Sequence, residues 1–193
     1  MRPKGFDQQQ ALHSAMLQFW ESGYEGSSMQ KLVDRMGISR QSIYDTYGNK
    51  RELFVQALRC YRREIVEPKL RRLNDPSRDP IEALREHFQG IIDGWHGQIR
   101  GCLMVRTMIE IEPGDSDIGQ LLGANTSQVR GALHAVIERG QASAVIDRSR
   151  SAAELAARIM ALSAGLHVYC RQPDQNGGLR PLADNLIAGF RAS

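Results

Sequence analysis

Residues 11–54 read ALHSAMLQFWESGYEGSSMQKLVDRMGISRQSIYDTYGNKRELF, and this stretch decides the fold. At its centre, Met36-Gly37-Ile38-Ser39 separates two short amphipathic segments. A turn this tight makes the flanking helices cross steeply, which is helix-turn-helix geometry. The second helix then protrudes far enough to enter a major groove. The first presents Met29, Leu32, Val33 and Met36 inward, and the second is anchored by its one clearly apolar residue, Ile43. Arg40, Gln41 and Ser42 lie at the N-terminal end of the second helix, where base edges are met. Arg can bond guanine through two donors, and Gln can do the same for adenine. Tyr44, Tyr47 and Lys50 follow at one-turn intervals, with hydroxyls and an ammonium suited to phosphate. Ser27 and Ser28 stand at a helix N-terminus, a second place that favours phosphate.

Working outward, helical periodicity dominates and no strand pattern appears. Asp7, with Gln10 three residues on, has capping-box spacing. Ala11, Leu12, Ala15, Met16, Phe19 and Trp20 then form one apolar face, and Gly23 ends the helix in a left-handed conformation. Ser27 and Gln30 repeat the spacing and start the second helix; Ser39 caps the third, and Gly48-Asn49 closes it. A fourth starts near Lys50 and runs through Tyr61 and Ile65, with Pro68 marking its weakening or end. Further helices are expected over residues 81–95, 102–111, 118–140, 152–171 and 179–191, with Asn176-Gly177-Gly178 as a turn signal. The fold class is therefore all-α with about nine helices. Residues 1–50 are expected to form a helix-turn-helix domain and residues 51–193 a helical body, which the resemblance described below marks as an effector-binding and dimerisation domain.

Bulk properties agree. Of 193 residues, 41% are hydrophobic and 24% charged, ordinary for a globular protein. The net charge of +3 is uneven: residues 1–72 carry 13 Lys+Arg against 8 Asp+Glu, and residues 73–193 carry 12 against 14. A basic front on a slightly acidic body suits a head that meets a polyanion. No apolar run approaches the roughly 20 residues that span a bilayer, and the polar first residues lack a secretory core, so no membrane contact and a cytoplasmic location are expected. Three dispersed cysteines, Cys60, Cys102 and Cys170, include no CxxC pair and point to reduced thiols rather than a metal or disulfide framework.

The stretch resembles the TetR family of bacterial regulators. The residues that carry the resemblance are Phe19, Gly23-Tyr24, Ser27-Ser28, Gly37-Ile38-Ser39, Ile43-Tyr44, Tyr47, Lys50 and Leu53. Two positions depart from the family habit: Tyr47 stands where Phe is usual, and Thr46 where His or Tyr is common. For Tyr44 and Tyr47 a plain packing role is the alternative to phosphate contact. The resemblance implies a DNA-binding regulator, not an enzyme: a homodimeric repressor of a palindromic double-stranded operator, released by a small-molecule effector. It implies dimerisation through the last two helices; the spacing of His and Cys residues suggests no metal site, and no cofactor is expected. Ala153, Ala156, Ala157, Met160, Ala161 and Ala164 form a small-residue stripe that fits close helix approach, and Leu155, Ile159, Leu162 and Leu166 form a second stripe.

The resemblance also implies an effector pocket in the body beside the fourth helix. Candidates to line it are Trp95, His96, Met104, Met108, His134 and His167, each of which also fits a packing or surface role. Cys102 is a further candidate. Gly101-Cys102-Leu103 resembles a segment in a subgroup of these regulators, some of which respond to electrophiles or oxidants. A helix N-terminus, with Arg100 and Arg106 nearby in sequence, would favour a thiolate; the alternative is a small packed residue. An enzymatic reading finds no nucleophile–base pair, phosphate-binding glycine loop or metal spacing to rest on.

Overall fold

The computed structural model describes residues 5–93, 101–112, 116–171 and 176–191, and their regular elements are helices. In order they form α1 (Gln8–Ser22), α2 (Met29–Met36), α3 (Arg40–Tyr47), α4 (Lys50–Tyr61), a π-helical turn (Arg62–Val66), α5 (Glu67–Leu73), α6 (Pro80–Ile92), α7 (Leu103–Glu110), α8 (Ser116–Ala142), α9 (Ala152–Tyr169) and α10 (Asn176–Ala188). The run from α4 through the π-helical turn to α5 is unbroken, so the described residues hold nine helical rods, the expected all-α class. The strand-like pairing among them is a single isolated bridge, Ile146 to Arg191.

Two compact units emerge. One joins Met1–Ile65 with Cys102–Leu122; the other joins Val66–Gly101 with Gly123–Ser193. In the first, α1 supplies Ala15, Met16, Phe19 and Trp20 to a core that Leu32, Ile43, Leu53, Phe54, Leu58 and Tyr61 complete. Phe19 meets Phe54 edge-on at 4.8 Å and Trp20 meets Tyr61 likewise at 4.8 Å. Each such ring contributes roughly 1.5–3 kcal/mol by burial. α7 belongs to this unit and adds Leu103, Met104 and Thr107.

Caps set the helix starts. Asp7 accepts from Gln9 and Gln10 N–H, and Asn49 forms a reciprocal capping box with Glu52. Ser28, not Ser27, caps α2, accepting from Lys31 N–H at 3.2 Å. Both serines can cap; burial of Ser27 leaves the exposed one to do it. Pro68 marks a weakening of the fourth helix rather than its end. It falls in the first turn of α5, where its missing N–H costs little, directly after the π-helical turn.

The second unit has its own core: Leu84, Phe88 and Ile92 of α6, Leu133, Val136 and Ile137 of α8, Leu155, Ala156 and Ile159 of α9, and Ala183 and Ile187 of α10. Arg139 donates to the carbonyls of Leu73 and Asp75, both at 3.2 Å, and so closes the end of α5. Asn176-Gly177-Gly178 is not a separate turn: α10 begins at Asn176 and carries Pro181 within it. The N–H of Asp147 donates to Phe190 O at 2.8 Å beside the Ile146–Arg191 bridge.

Candidate nucleic-acid interface

The turn between α2 and α3 is three residues long. Gly37 adopts φ 66° and ψ 24°, a left-handed conformation natural to glycine, and its N–H closes α2 on Val33 O at 3.0 Å. Ser39 then caps α3, its hydroxyl oxygen accepting from Ser42 N–H at 3.1 Å. α3 has two faces. Ile43 is fully buried, and Tyr47 is 5% exposed with its hydroxyl donating to Gln8 O at 2.7 Å. Arg40, Gln41, Tyr44 and Asp45 form the exposed face, and Tyr44 is 43% exposed.

These placements divide the eight expected DNA-binding residues. Arg40 is solvent-facing and has no ion-pair partner among the described residues. Gln41 is exposed, its amide donating to Asp45 at 2.7 Å. The Ser42 hydroxyl lies 2.9 Å from that of Ser39 and is used within the cap. Ser28 is exposed at the start of α2. Lys50 opens α4 with its ammonium 4.4 Å over the Tyr24 ring, which places it without neutralising it.

Two expectations are corrected. Ser27 is fully buried, and its hydroxyl donates to Gly23 O at 2.6 Å and lies 3.3 Å from Gln18 O. The Tyr47 hydroxyl is likewise used inside the fold, and burial raises its pKa further above the ordinary phenol value. Neither side chain reaches a ligand; both hold the small domain together. Lys31 was missed. It is exposed in the first turn of α2, donates to Gly26 O at 3.0 Å, and adds a cation beside Ser28; its place three residues after the cap was the available signal.

A second arrangement fixes the end of α1. Gly23 sits at φ 78°, and a Cβ there would strike the side chains of Glu110 and Arg106. Arg106 donates to Glu110 at 2.6 Å, to Glu21 O at 2.9 Å and to Ser22 O at 2.6 Å. Glu110 accepts from Tyr24 N–H at 2.8 Å. Sequence alone could not reveal this clamp, because its parts lie more than eighty residues apart.

Among the described residues, the effector candidates do not gather into one cluster. Trp95 and His96 lie outside the described residues. Met104 is buried in the core of the first unit, whereas Met108 is exposed. His134 pairs at the surface with Glu138 at 3.3 Å. Cys102 occupies the position before α7 without capping it through its side chain, and it lies beside the Tyr61 hydroxyl, whose pKa is raised by burial and then by that thiol. Arg106 is spent on the clamp and does not attend Cys102, and Arg100 lies outside the described residues.

His167 differs. Burial, then the charges of Lys69 and His87, push its pKa down to about 3. Its Nδ1 is buried with no hydrogen-bond partner among the described residues. His87, which sequence reasoning missed, lies 2.9 Å from Ser163 Oγ, and burial followed by the charge of Lys69 pushes it down to about 4. Two neutral imidazoles thus sit inside the second unit, one with an unsatisfied ring nitrogen, which is unusual for a buried polar atom.

Comparison with known proteins places this geometry. The profile of the bacterial regulatory proteins of the tetR family matches residues 11–57. YezE of Bacillus subtilis (strain 168), an uncharacterized HTH-type transcriptional regulator, is 35% identical over 135 residues, 69% of this chain and 69% of its own length. The HTH-type transcriptional repressor ComR of Escherichia coli (strain K12) is 26% identical over 173 residues, 89% of this chain and 82% of its own. Among solved structures, a cysteine mutant of the TetR family transcriptional regulator CifR, complexed with 26-bp double-strand operator DNA, is 25% identical. It covers 98% of this chain and 100% of its own, with a TM-score of 0.85. With a helix-turn-helix of this geometry and these relatives, the chain belongs to the tetR family of bacterial regulatory proteins.

Proposed function

We propose that this chain is a homodimeric transcriptional repressor, active in the cytoplasm, that holds a palindromic operator and releases it when a small-molecule effector binds. Residues 1–50 read DNA and residues 51–193 sense and dimerise; the chain acts by binding, not by catalysis. The observation that carries the reading is the outward face of α3. Arg40 and Gln41 are exposed at the N-terminal end of a helix pinned from behind by Ile43 and Tyr47. Arg40 and Gln41 meet base edges; Tyr44, Ser28, Lys31 and Lys50 meet phosphates and fix register. The operator complex of CifR supports the same use of the fold.

Dimerisation uses α9 and α10. Ala153, Ala157, Ala161 and Ala164 are exposed along one side of α9, followed by Val168, and Leu182 is exposed on α10. Of the expected small-residue stripe, Ala156 turns into the chain's own core instead. Exposed small and apolar residues at helical spacing suit a mate packed closely against them. The effector carries a polar group that satisfies His167 Nδ1, and its differential affinity for the two states shifts the protein from operator-bound to released. A second reading makes modification of Cys102 the trigger, supported by its place at the N-terminus of α7.

Capture of genomic fragments by the purified chain, with competitor DNA at moderate salt, tests the reading. Enrichment of a short palindrome is expected. Salt-sensitive binding without sequence preference would refute operator recognition, and a monomeric mass in light scattering would refute the dimer.

A further inference from the structure

Where α1 crosses the end of α4, three potential metal ligands of three chemical kinds converge. His13, in α1, sets its Nδ1 2.7 Å from Glu64 Oε2. Cys60, in the last turn of α4, holds its Sγ 3.1 Å from Glu64 Oε1. The imidazole nitrogen, the thiol sulfur and the carboxylate oxygen all lie within 4.8 Å of one another. Zinc bonds of about 2.0–2.3 Å place neighbouring ligand atoms of a tetrahedral site roughly 3.3–3.7 Å apart. The 2.7 and 3.1 Å contacts run to the two different oxygens of Glu64, and with every separation at most 4.8 Å, shifts of about 1 Å in these side chains bring one atom of each to tetrahedral spacing.

The sequence folds this way for local reasons. Cys60 and Glu64 are four residues apart across the junction of α4 with the π-helical turn, so both face the same side. Such turns recur at functional sites. His13 comes from the helix that packs against that side through the Trp20–Tyr61 contact. Cys60 is buried, while the His13 and Glu64 side chains are 37% and 32% exposed, so one corner of the site opens to water. A closed structural site would use four protein ligands; three ligands with an open corner is the arrangement that exchanges its metal or keeps a bound water.

We infer that His13, Cys60 and Glu64 form a binding site for one divalent metal ion of the zinc type, with water as the fourth ligand. Thiolate and imidazole together select such borderline ions over magnesium or calcium. Without metal the thiol is protonated: burial, then the Glu64 carboxylate, push it up to about 12. On loading, the metal–sulfur bond forms and the thiol proton leaves to solvent; His13 coordinates as neutral imidazole through Nδ1. Arg63 now lies beside the cluster, 2.9 Å from Glu64 Oε1 and 3.5 Å from Cys60 Sγ. Its side chain is 58% exposed and can swing outward as the cation takes over its charge.

The inference does not depend on operator recognition, and its test does not use DNA. The full chain, stripped with chelator and kept reduced, is titrated with Co2+. One equivalent is expected to raise a thiolate-to-cobalt charge-transfer band and intense visible d–d bands of tetrahedral geometry, which Zn2+ then bleaches. Cys60→Ser is expected to abolish the charge-transfer band and Cys102→Ser to keep it. His13→Gln and Glu64→Gln, at partly exposed positions, are expected to weaken Co2+ binding by at least about tenfold. Circular dichroism of the metal-free variants confirms that each is folded, and the two partly exposed variants keep the test decisive if Cys60→Ser does not fold. The absence of any thiolate band in the unsubstituted chain, its survival in Cys60→Ser, or unchanged affinity in both His13→Gln and Glu64→Gln would overturn the site.

Discussion

Replacing Arg106 with Met keeps the length and apolar stem of the side chain and removes the guanidinium that closes α1. Arg106 makes three contacts of 2.6–2.9 Å, to Glu110, Glu21 O and Ser22 O. Its side chain is 16% exposed and that of Glu110 22%, so the pair is shielded on most sides. A hydrogen bond to a charged group contributes about 1.5–3 kcal/mol. The two carbonyls at the helix end can turn to water once released, which removes most of their share. Glu110 cannot escape so easily, because Tyr24 N–H holds it at 2.8 Å. The net loss is therefore about 3 kcal/mol, the scale of one broken, partly buried charge pair. For a chain of this size that lowers Tm by about 6–12 °C. Differential scanning calorimetry and urea unfolding of Arg106→Met, Glu110→Gln and the double variant measure it. Glu110→Gln keeps an acceptor for Tyr24 and is expected to cost less. The double variant is expected to fall short of additivity by about 1–2 kcal/mol, as coupled neighbours do. A Tm change under about 2 °C, or strict additivity, would refute the claim that α7 clamps the end of α1.

Other expectations follow from the same residues. Arg40→Ala is predicted to cost about 1–3 kcal/mol of operator affinity and to relax preference at one base pair, whereas Lys50→Ala lowers affinity for all sequences and reduces the salt slope by about 1; anisotropy titrations over a salt series separate them, and equal sequence effects would contradict the assignment. Tyr47→Phe loses the bond to Gln8 O and about 1 kcal/mol of stability without altering operator preference; a changed base preference on a selected-site assay would return Tyr47 to the interface. His87 and His167 are neutral in the fold, with pKa values pushed to about 4 and about 3, below the ordinary 6.5. The unfolded chain binds protons first, so their contribution is complete above pH 6.5 and is lost as pH falls toward 4, about 3 kcal/mol for His87 alone by pH 4. Urea midpoints that stay flat from pH 7 to about 4.5, or a His87→Gln variant with an unaltered pH slope, would show that these imidazoles are not buried neutral. Cys102→Ser is expected to respond to inducer as the natural chain does, and a lost response would establish the thiol reading instead.

Much of the head was legible because its signals are local. Asp7, Ser39 and Asn49 cap the helices they precede, and Gly37 takes the left-handed conformation that the tight turn demands. Arg40, Gln41 and Tyr44 fall on the outward face because Ile43 fixes the phase of α3. Ser27 and Tyr47 were harder. Each is polar and sits at a position where exposure and burial differ by one step of helical phase, and the partner carbonyls of Gly23, Gln18 and Gln8 are not visible in a linear pattern. The polar interior of the second unit was less legible still. His87 and Ser163 are seventy-six residues apart, and their pairing depends on how α6 and α9 meet. The π-helical turn leaves no sequence mark beyond the proline that follows it.

That turn also bears on chain length. Its five residues hold one more residue per turn than an α-helix would, so α4 and α5 are out of register with a regular ladder. Five residues of a π-helical turn rotate the chain by about 410°, close to the roughly 400° of four α-helical residues, so the turn takes up one extra residue without breaking the helical run. Related chains are therefore expected to tolerate a one-residue difference in length within residues 62–66, and a one-residue gap placed there by an alignment is a physically sensible one.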